Sequence, residues 1–248
     1  MLTYDVVVPV KLLAEAKTRL APSVGSAARA ELARAFVLDT LDAALAAERV
    51  AHVIVVGDLS AHGDDLPAGV AVVAEPEPRS LGTAIRHGIA EARRAALDER
   101  TAAEASAHRL PRSHRGIAVL LGDLPALTPQ ALDATHGAAP RHPLAFMPDA
   151  DGTGTTLAAA AAHTRFEPAF GADSALLHRA LGYHDLSHEV PAALAAPMRR
   201  DVDTVDALAA AVDLGVGPRT AAALGGSATR PDSGAGPRRT DSTRKGAA

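Results

Sequence analysis

The chain has no cysteine and no tryptophan, and aromatic residues make up only 2% of its 248 positions. Without thiols it can form neither a disulfide nor a thiolate metal centre, which fits a reducing compartment. No apolar run approaches the roughly 18 residues of a membrane span. Residues 1–5 lead straight into an apolar strand pattern, with no basic segment followed by a long apolar one, so a cytoplasmic protein is expected, with no membrane partner. Strong charge of one sign is also missing. A formal net charge of −4 gives no reason to expect a nucleic-acid partner. Two familiar motifs are absent: there is no GxxxxGK[ST] phosphate loop and no GxSxG nucleophile turn.

What is present is a globular composition, 48% apolar and rich in Ala, with a mean hydropathy of +0.07. Short runs of branched aliphatics predict buried strands at 6–10, 52–56, 70–73, 117–121 and 144–147, with a weaker, Ala-rich strand at 155–161. A helix is predicted over 26–47, with Ser26 as N-cap and Leu32, Phe36, Val37, Leu41 and Leu45 on its apolar stripe. A second runs over 81–97 with Ile85, Ile89 and Ala96 inward. Thr128-Pro129 starts a third, and further helices are expected at 174–181 and 204–214. Alternation of short apolar strands with helices predicts a three-layer α/β fold around a mostly parallel sheet. One domain is expected over 1–224, with 98–115 a surface extension and 225–248, rich in Gly, Ser, Thr, Arg and Pro, a disordered tail.

The sequence centres on Leu120-Leu121-Gly122-Asp123-Leu124-Pro125. A buried strand that ends in a carboxylate delivers it to the crevice where open α/β sheets bind ligands. Asp123 there suits Mg²⁺, a hard cation that wants anionic oxygen; it also suits an ordinary turn or a helix cap. After the first strand come Lys11, Lys17 and Arg19, three cations within nine residues, which suit either a polyphosphate or a solvated loop. Asp201 and Asp203 alternate about Val202, so both carboxylates of an extended segment face one way. They complete a metal site with Asp123 or cap the following helix. Gly152-Thr153-Gly154-Thr155-Thr156 and Phe170-Gly171-Ala172-Asp173-Ser174 combine small residues, hydroxyls and a helix start. That suits a small phosphorylated or carboxylated ligand, or two plain turns. His184 and His188 lie four apart, but in a turn or strand that spacing does not aim them at one metal.

The segments PVKLLAEAKTRL, LLGDLPAL, DGTGTT, FGADSALLH and RRDVDTVDAL, in this order, resemble the phosphoenolpyruvate or 2-phospho-L-lactate guanylyltransferases of deazaflavin coenzyme (F-420) biosynthesis, over about residues 4–222. The resemblance implies a Rossmann-like nucleotidyltransferase fold of the glycosyltransferase-A kind, with GTP as donor and Mg²⁺ as metal. By position it implies Asp123 and Asp201 as metal ligands, and Thr155, Gly171 and Ser174 around the phosphorylated acceptor. Lys11, Lys17 and Arg19 are implied at the GTP phosphates, with Lys17, Arg19 and Asp123 as the catalytic groups. Where many members carry Leu-Asn-x-Ala, this chain has Leu81-Gly82-Thr83-Ala84, so any nucleotide contact there falls to Gly82 and Thr83. The implied reaction is in-line attack of an acceptor phosphate oxygen on the α-phosphorus of GTP, with pyrophosphate leaving. No general base is required, because the attacking phosphate is already ionised. An Ala- and Arg-rich composition fits a high-GC actinobacterial genome, which with the resemblance favours phosphoenolpyruvate over 2-phospho-L-lactate. A nucleotide-sugar-dependent glycosyltransferase of similar fold is the alternative, and homo-oligomerisation is left open.

Overall fold

The computed structural model describes residues 2–10, 26–58, 65–105 and 115–227. Seven strands form one sheet in the order β3-β2-β1-β4-β6-β5-β7. They are β1 (Tyr4–Pro9), β2 (Val50–Val56), β3 (Val70–Val73), β4 (Gly116–Leu120), β5 (Leu144–Pro148), β6 (Thr155–Ala160) and β7 (His184–Asp185). β1 pairs in parallel with β2 and β4, β2 with β3, and β5 with β7; β6 alone runs antiparallel, between β4 and β5. The helices are α1 (Ser26–Ala46), α2 (Leu81–Ala105), α3 (Pro129–Ala138), α4 (Ser174–Ala180), α5 (Ala192–Arg199), α6 (Val205–Leu214) and α7 (Pro218–Ser227).

Period-2 alternation sorts the strand side chains into two cores. Val6, Val8, Val53, Val55 and Leu120 face one side, against Val37 and Leu41 of α1, Leu132 of α3 and Met198 of α5. Val7, Ile54, Val56, Val119 and Phe146 face the other, against Ile85 and Ile89 of α2. Fully buried side chains such as Leu120, Leu124 and Leu157 each contribute about 1.5–3 kcal/mol relative to exposure. Close helix-to-sheet packing depends on Gly88, where an added Cβ would lie 2.3 Å from Val7 Cγ1. The predicted stripe of α1 divides: Leu32 and Phe36 turn away from the sheet into a third cluster with Leu208 and Ala211 of α6 and Ala223 of α7.

Several expectations are corrected. Ser26 is the first residue of α1 rather than a cap before it. α2 continues past residue 97 to Ala105, so the segment expected as a surface extension begins as helix, and Asp98 to Ala102 are exposed. α5, α7 and the short β7 were not anticipated, and α7 runs through Gly225 to Ser227. It is held by Asp39 of α1, whose carboxylate accepts the N–H groups of Arg219 (3.1 Å) and Thr220 (2.8 Å) at the helix start. The helix start expected at Thr128-Pro129 is as predicted: Thr128 caps α3, its hydroxyl oxygen accepting Ala131 N–H at 3.2 Å. No helix among the described residues is long and apolar enough to cross a membrane.

Candidate active site

Because β1 to β5 run parallel and β6 runs against them, the C-terminal ends of the former and the first residues of the latter share one edge. Leu120 lies opposite Leu157, and Leu121 N–H donates to Thr156 carbonyl at 2.9 Å. Thr155 therefore begins just past the end of β4, level with Gly122 and one residue short of half-buried Asp123. At the β2 end, Gly57 (φ +155°) passes under the chain leaving β1; a Cβ there would be 2.2 Å from the Val10 carbonyl oxygen, so no other residue fits.

The loop carrying Asp123 is fixed from two sides. Thr40, fully buried in α1, accepts Leu124 N–H at 3.2 Å, while its hydroxyl is 2.8 Å from Phe36 carbonyl and 3.3 Å from Gly122 carbonyl. From the other side, Val202 N–H donates to the Asp123 carbonyl at 3.1 Å. That bond lays the 200–203 segment against the Asp123 loop and brings the half-buried Asp201 to the same edge; Asp203 is exposed. Neither Asp201 nor Asp203 caps α6. Thr204 does, accepting Ala207 N–H at 3.1 Å. Upstream, Arg199 at the end of α5 donates to the carbonyls of Pro148 (3.1 Å) and Asp149 (2.7 Å), which ties the 200–203 segment to the β5–β6 turn.

That turn is organised by Asp149, whose carboxylate accepts Thr153 N–H (3.0 Å) and Gly154 N–H (2.8 Å). Ala175 N–H donates to Thr153 carbonyl at 3.0 Å, docking α4 on the turn. The helix is two turns long, and one of its leading N–H groups is thus already engaged inside the protein. Thr155 and Ser174 are buried, and Gly171 (φ +132°) sits exposed in the turn before α4 with open space around it. The Thr155 hydroxyl lies 2.9 Å from Nδ1 of His178 on α4, and Ala169 N–H donates to Nε2 of the same ring at 3.0 Å. Burial pushes this imidazole down to about 4.

Gly82 and Thr83 lie at the start of α2, across β1 and β2 from Asp123. The backbone N–H of Thr83 is used by the Ser80 hydroxyl (3.0 Å), and its own hydroxyl by Ser80 (2.8 Å) and Arg86 (3.2 Å). Lys11, Lys17 and Arg19 lie outside the described residues. Sequence reading missed Thr40, Asp149, Arg199 and His178. Two of them left a signal: Asp149 heads an Asp-rich, Gly-punctuated turn, and His178 closes the FGADSALLH segment.

Among the described residues, one group of three His or carboxylate side chains has ligand atoms within reach of one another: His142, His184 and Glu189. Nε2 of His142 and of His184 both approach Glu189 Oε1, at 2.8 and 2.7 Å, and Arg141 bonds its other oxygen at 3.0 Å. The two rings are stacked, centroids 3.6 Å apart and 8° from parallel. Both Nε2 atoms are thus committed to one carboxylate oxygen, in a cluster at the β5–β7 side of the sheet, away from Asp123. His188 stands apart in the 3₁₀ turn Leu186–His188.

No family model matches the chain. Curated relatives do. It is 43% identical over 220 residues to the phosphoenolpyruvate guanylyltransferase of Streptomyces coelicolor, covering 88% of this chain and 94% of that protein. It is 42% identical over 221 residues to the enzyme of the same name from Streptomyces avermitilis, covering 89% and 93%. Among solved structures, a protein from Desulfovibrio desulfuricans G20, provisionally described as a nucleotide-diphospho-sugar transferase, superposes with a TM-score of 0.54 at 19% identity. It covers 75% of this chain and 79% of its own, a likeness of fold alone. That fold is the Rossmann-like nucleotidyltransferase one anticipated from the motifs, and at this identity and coverage the chain belongs to the phosphoenolpyruvate guanylyltransferase family.

Proposed function

We propose that the protein transfers GMP from GTP to phosphoenolpyruvate, releasing pyrophosphate and forming enolpyruvyl-diphospho-guanosine on the route to coenzyme F-420. One observation carries the reading: in a chain 43% identical to an enzyme of that name, the Asp123 and 200–203 loops are hydrogen-bonded together beside the Thr155 end of β6.

In this reading the acceptor is held on the Thr155, Gly171 and Ser174 side, and a phosphate oxygen attacks the α-phosphorus of GTP in line. Pyrophosphate departs toward Lys11, Lys17 and Arg19, whose cationic charge stabilises it. Gly82 and Thr83 lie on the nucleotide side. Thr83 contributes contact rather than a backbone donor, because its N–H is engaged by Ser80. Asp123 and Asp201 are hard oxygen donors on neighbouring loops, a set that fits Mg²⁺. Bound there, the ion would neutralise phosphate charge and hold donor and acceptor together. No protein base is needed. Substrates dock on a single domain that runs through α7 to Ser227, in the cytoplasm, and neither nucleic acid nor membrane takes part.

The test is pyrophosphate release from purified protein with Mg²⁺ and GTP, in parallel with phosphoenolpyruvate, 2-phospho-L-lactate, 3-phosphoglycerate and no acceptor. Release that depends on phosphoenolpyruvate is expected. Release only with 2-phospho-L-lactate would change the acceptor, and silence in every arm from folded protein would refute guanylyl transfer.

A further inference from the structure

We propose that His178 is a positioning residue for acceptor binding: its imidazole fixes the Thr155 hydroxyl as a hydrogen-bond donor aimed at an anionic oxygen of the acceptor. The inference rests on the reading above that Thr155 contacts the acceptor.

A backbone N–H can only donate, so the contact from Ala169 N–H at 3.0 Å requires a lone pair on His178 Nε2. A neutral imidazole with a bare Nε2 carries its proton on Nδ1. Nδ1 is 2.9 Å from Thr155 Oγ1, and a protonated ring nitrogen cannot accept, so the threonine oxygen receives from it, in company with the Ser174 carbonyl that also bonds the ring. The Thr155 O–H must then point away from His178. Among the described residues no carbonyl or carboxylate takes it, although Thr155 is only 3% exposed. A hydroxyl so constrained favours a ligand atom that only accepts, which is the property of a phosphate or carboxylate oxygen and not of an amide N–H.

The ring is held for the task. His178 is wholly buried, stacked with Phe146 at 5.4 Å and met edge-on by Phe170 at 5.5 Å and Tyr183 at 4.8 Å. Burial also holds the ring's pKa down to about 4, so Nε2 remains an acceptor at neutral pH. Three aromatic neighbours thus hold the ring, the backbone N–H of Ala169 selects its tautomer, and that tautomer defines the direction of one hydroxyl.

Steady-state kinetics on four single variants and one double variant test the role. Thr155→Val, which removes the hydroxyl, should raise the acceptor KM about tenfold or more and leave the GTP KM unchanged. His178→Leu keeps the packing but loses both nitrogens, and His178→Gln supplies an amide only near the Nε2 position; both should raise the acceptor KM similarly. His178→Asn, whose amide falls near the Nδ1 position, should recover much of the loss, which a purely structural role would not predict. In a His178→Leu background, Thr155→Val should add little further. Folded His178→Leu and His178→Gln proteins with wild-type acceptor KM, or fully additive effects in the double variant, would overturn the positioning role. An unchanged acceptor KM in Thr155→Val refutes the Thr155 contact itself, and the positioning role with it.

Discussion

Thr40→Val isolates the support behind the candidate metal loop. Valine has the shape and β-branching of threonine, so the packing of α1 is preserved and its helical preference barely changes. What is lost is the oxygen that accepts Leu124 N–H at 3.2 Å. Thr40 and Leu124 are both fully buried, so water cannot replace it. Phe36 carbonyl, the other close partner, keeps its place in the helix ladder of α1 and is not orphaned. One buried, unsatisfied N–H costs about 1–3 kcal/mol, visible as a lowered urea midpoint with unchanged slope. The functional effect is separate: the 122–124 loop loses its anchor on α1, and a displacement of Asp123 by about 1 Å is enough to lower kcat/KM by roughly 10²-fold. Thr40→Ser keeps the hydroxyl and should restore most of both properties. A Thr40→Val protein of wild-type stability would refute the hydrogen-bond accounting. One that is destabilised yet turns over normally would show that Thr40 is a strut with no bearing on Asp123.

Asp123→Asn and Asp201→Asn should each reduce pyrophosphate release by about 10²-fold or more while leaving the circular dichroism spectrum and melting curve close to wild type; undiminished turnover in either removes that residue from the site. Asp39→Ala should cost about 1–3 kcal/mol by stripping two N–H partners from the start of α7, and hydrogen exchange should quicken in α7 before the sheet. Acid should destabilise the fold through His136 and His178, which burial holds down to about 3 and about 4. The sign follows from their folded values lying below the unfolded value of about 6.5: stability is full above pH 6.5, falls by roughly 1.4 kcal/mol per pH unit for each ring as the unfolded chain takes up protons, and levels off below the folded values. Urea midpoints from pH 7 to pH 4.5 measure the slope, and a slope that persists undiminished in a His136→Leu, His178→Leu double variant would assign it to other groups.

The strands and the Asp123 turn were legible in the sequence because uniformly apolar runs have few other uses in a protein with so few aromatics. Where reading failed, the missing information was tertiary. α7 reads Pro-Arg-Thr-Ala-Ala-Ala-Leu-Gly-Gly-Ser, with little to bury, and its anchor is a carboxylate at Asp39, some 180 residues earlier. Asp39 lies inside a helix and looks like a solvated charge until a second helix end arrives to be capped. The α1 stripe looked like one face because Leu32, Phe36, Val37 and Leu41 are spaced for one. A helix covered on two sides distributes the same residues between both cores. Thr40 takes its partner from 84 positions away, and nothing local distinguishes it from a surface residue; His178 closes the FGADSALLH segment, but the hydroxyl it meets lies 23 positions earlier.

The direction of β6 was within reach of the sequence and decides the chemistry. Only six residues, 149–154, separate Pro148 from Thr155. A parallel return needs a crossover of a dozen residues or more, so this connection permits only an antiparallel neighbour. Reversal is what brings the two halves of the proposed site together. In an antiparallel β6 the first residue, Thr155, lies at the edge where β4 releases Asp123. Were the same six-residue strand parallel to β4, Thr155 would begin at the opposite edge, about 17–20 Å away at roughly 3.3 Å per residue. That distance exceeds the span of a single phosphorylated acceptor bridging Thr155 and a metal on Asp123. The tight turn built on Asp149, with its Gly154 and its Arg199 clamp, is therefore as necessary to the proposed reaction as the carboxylates. Any insertion that lets β6 enter the sheet in the other direction should abolish transfer even with Asp123 and Asp201 intact.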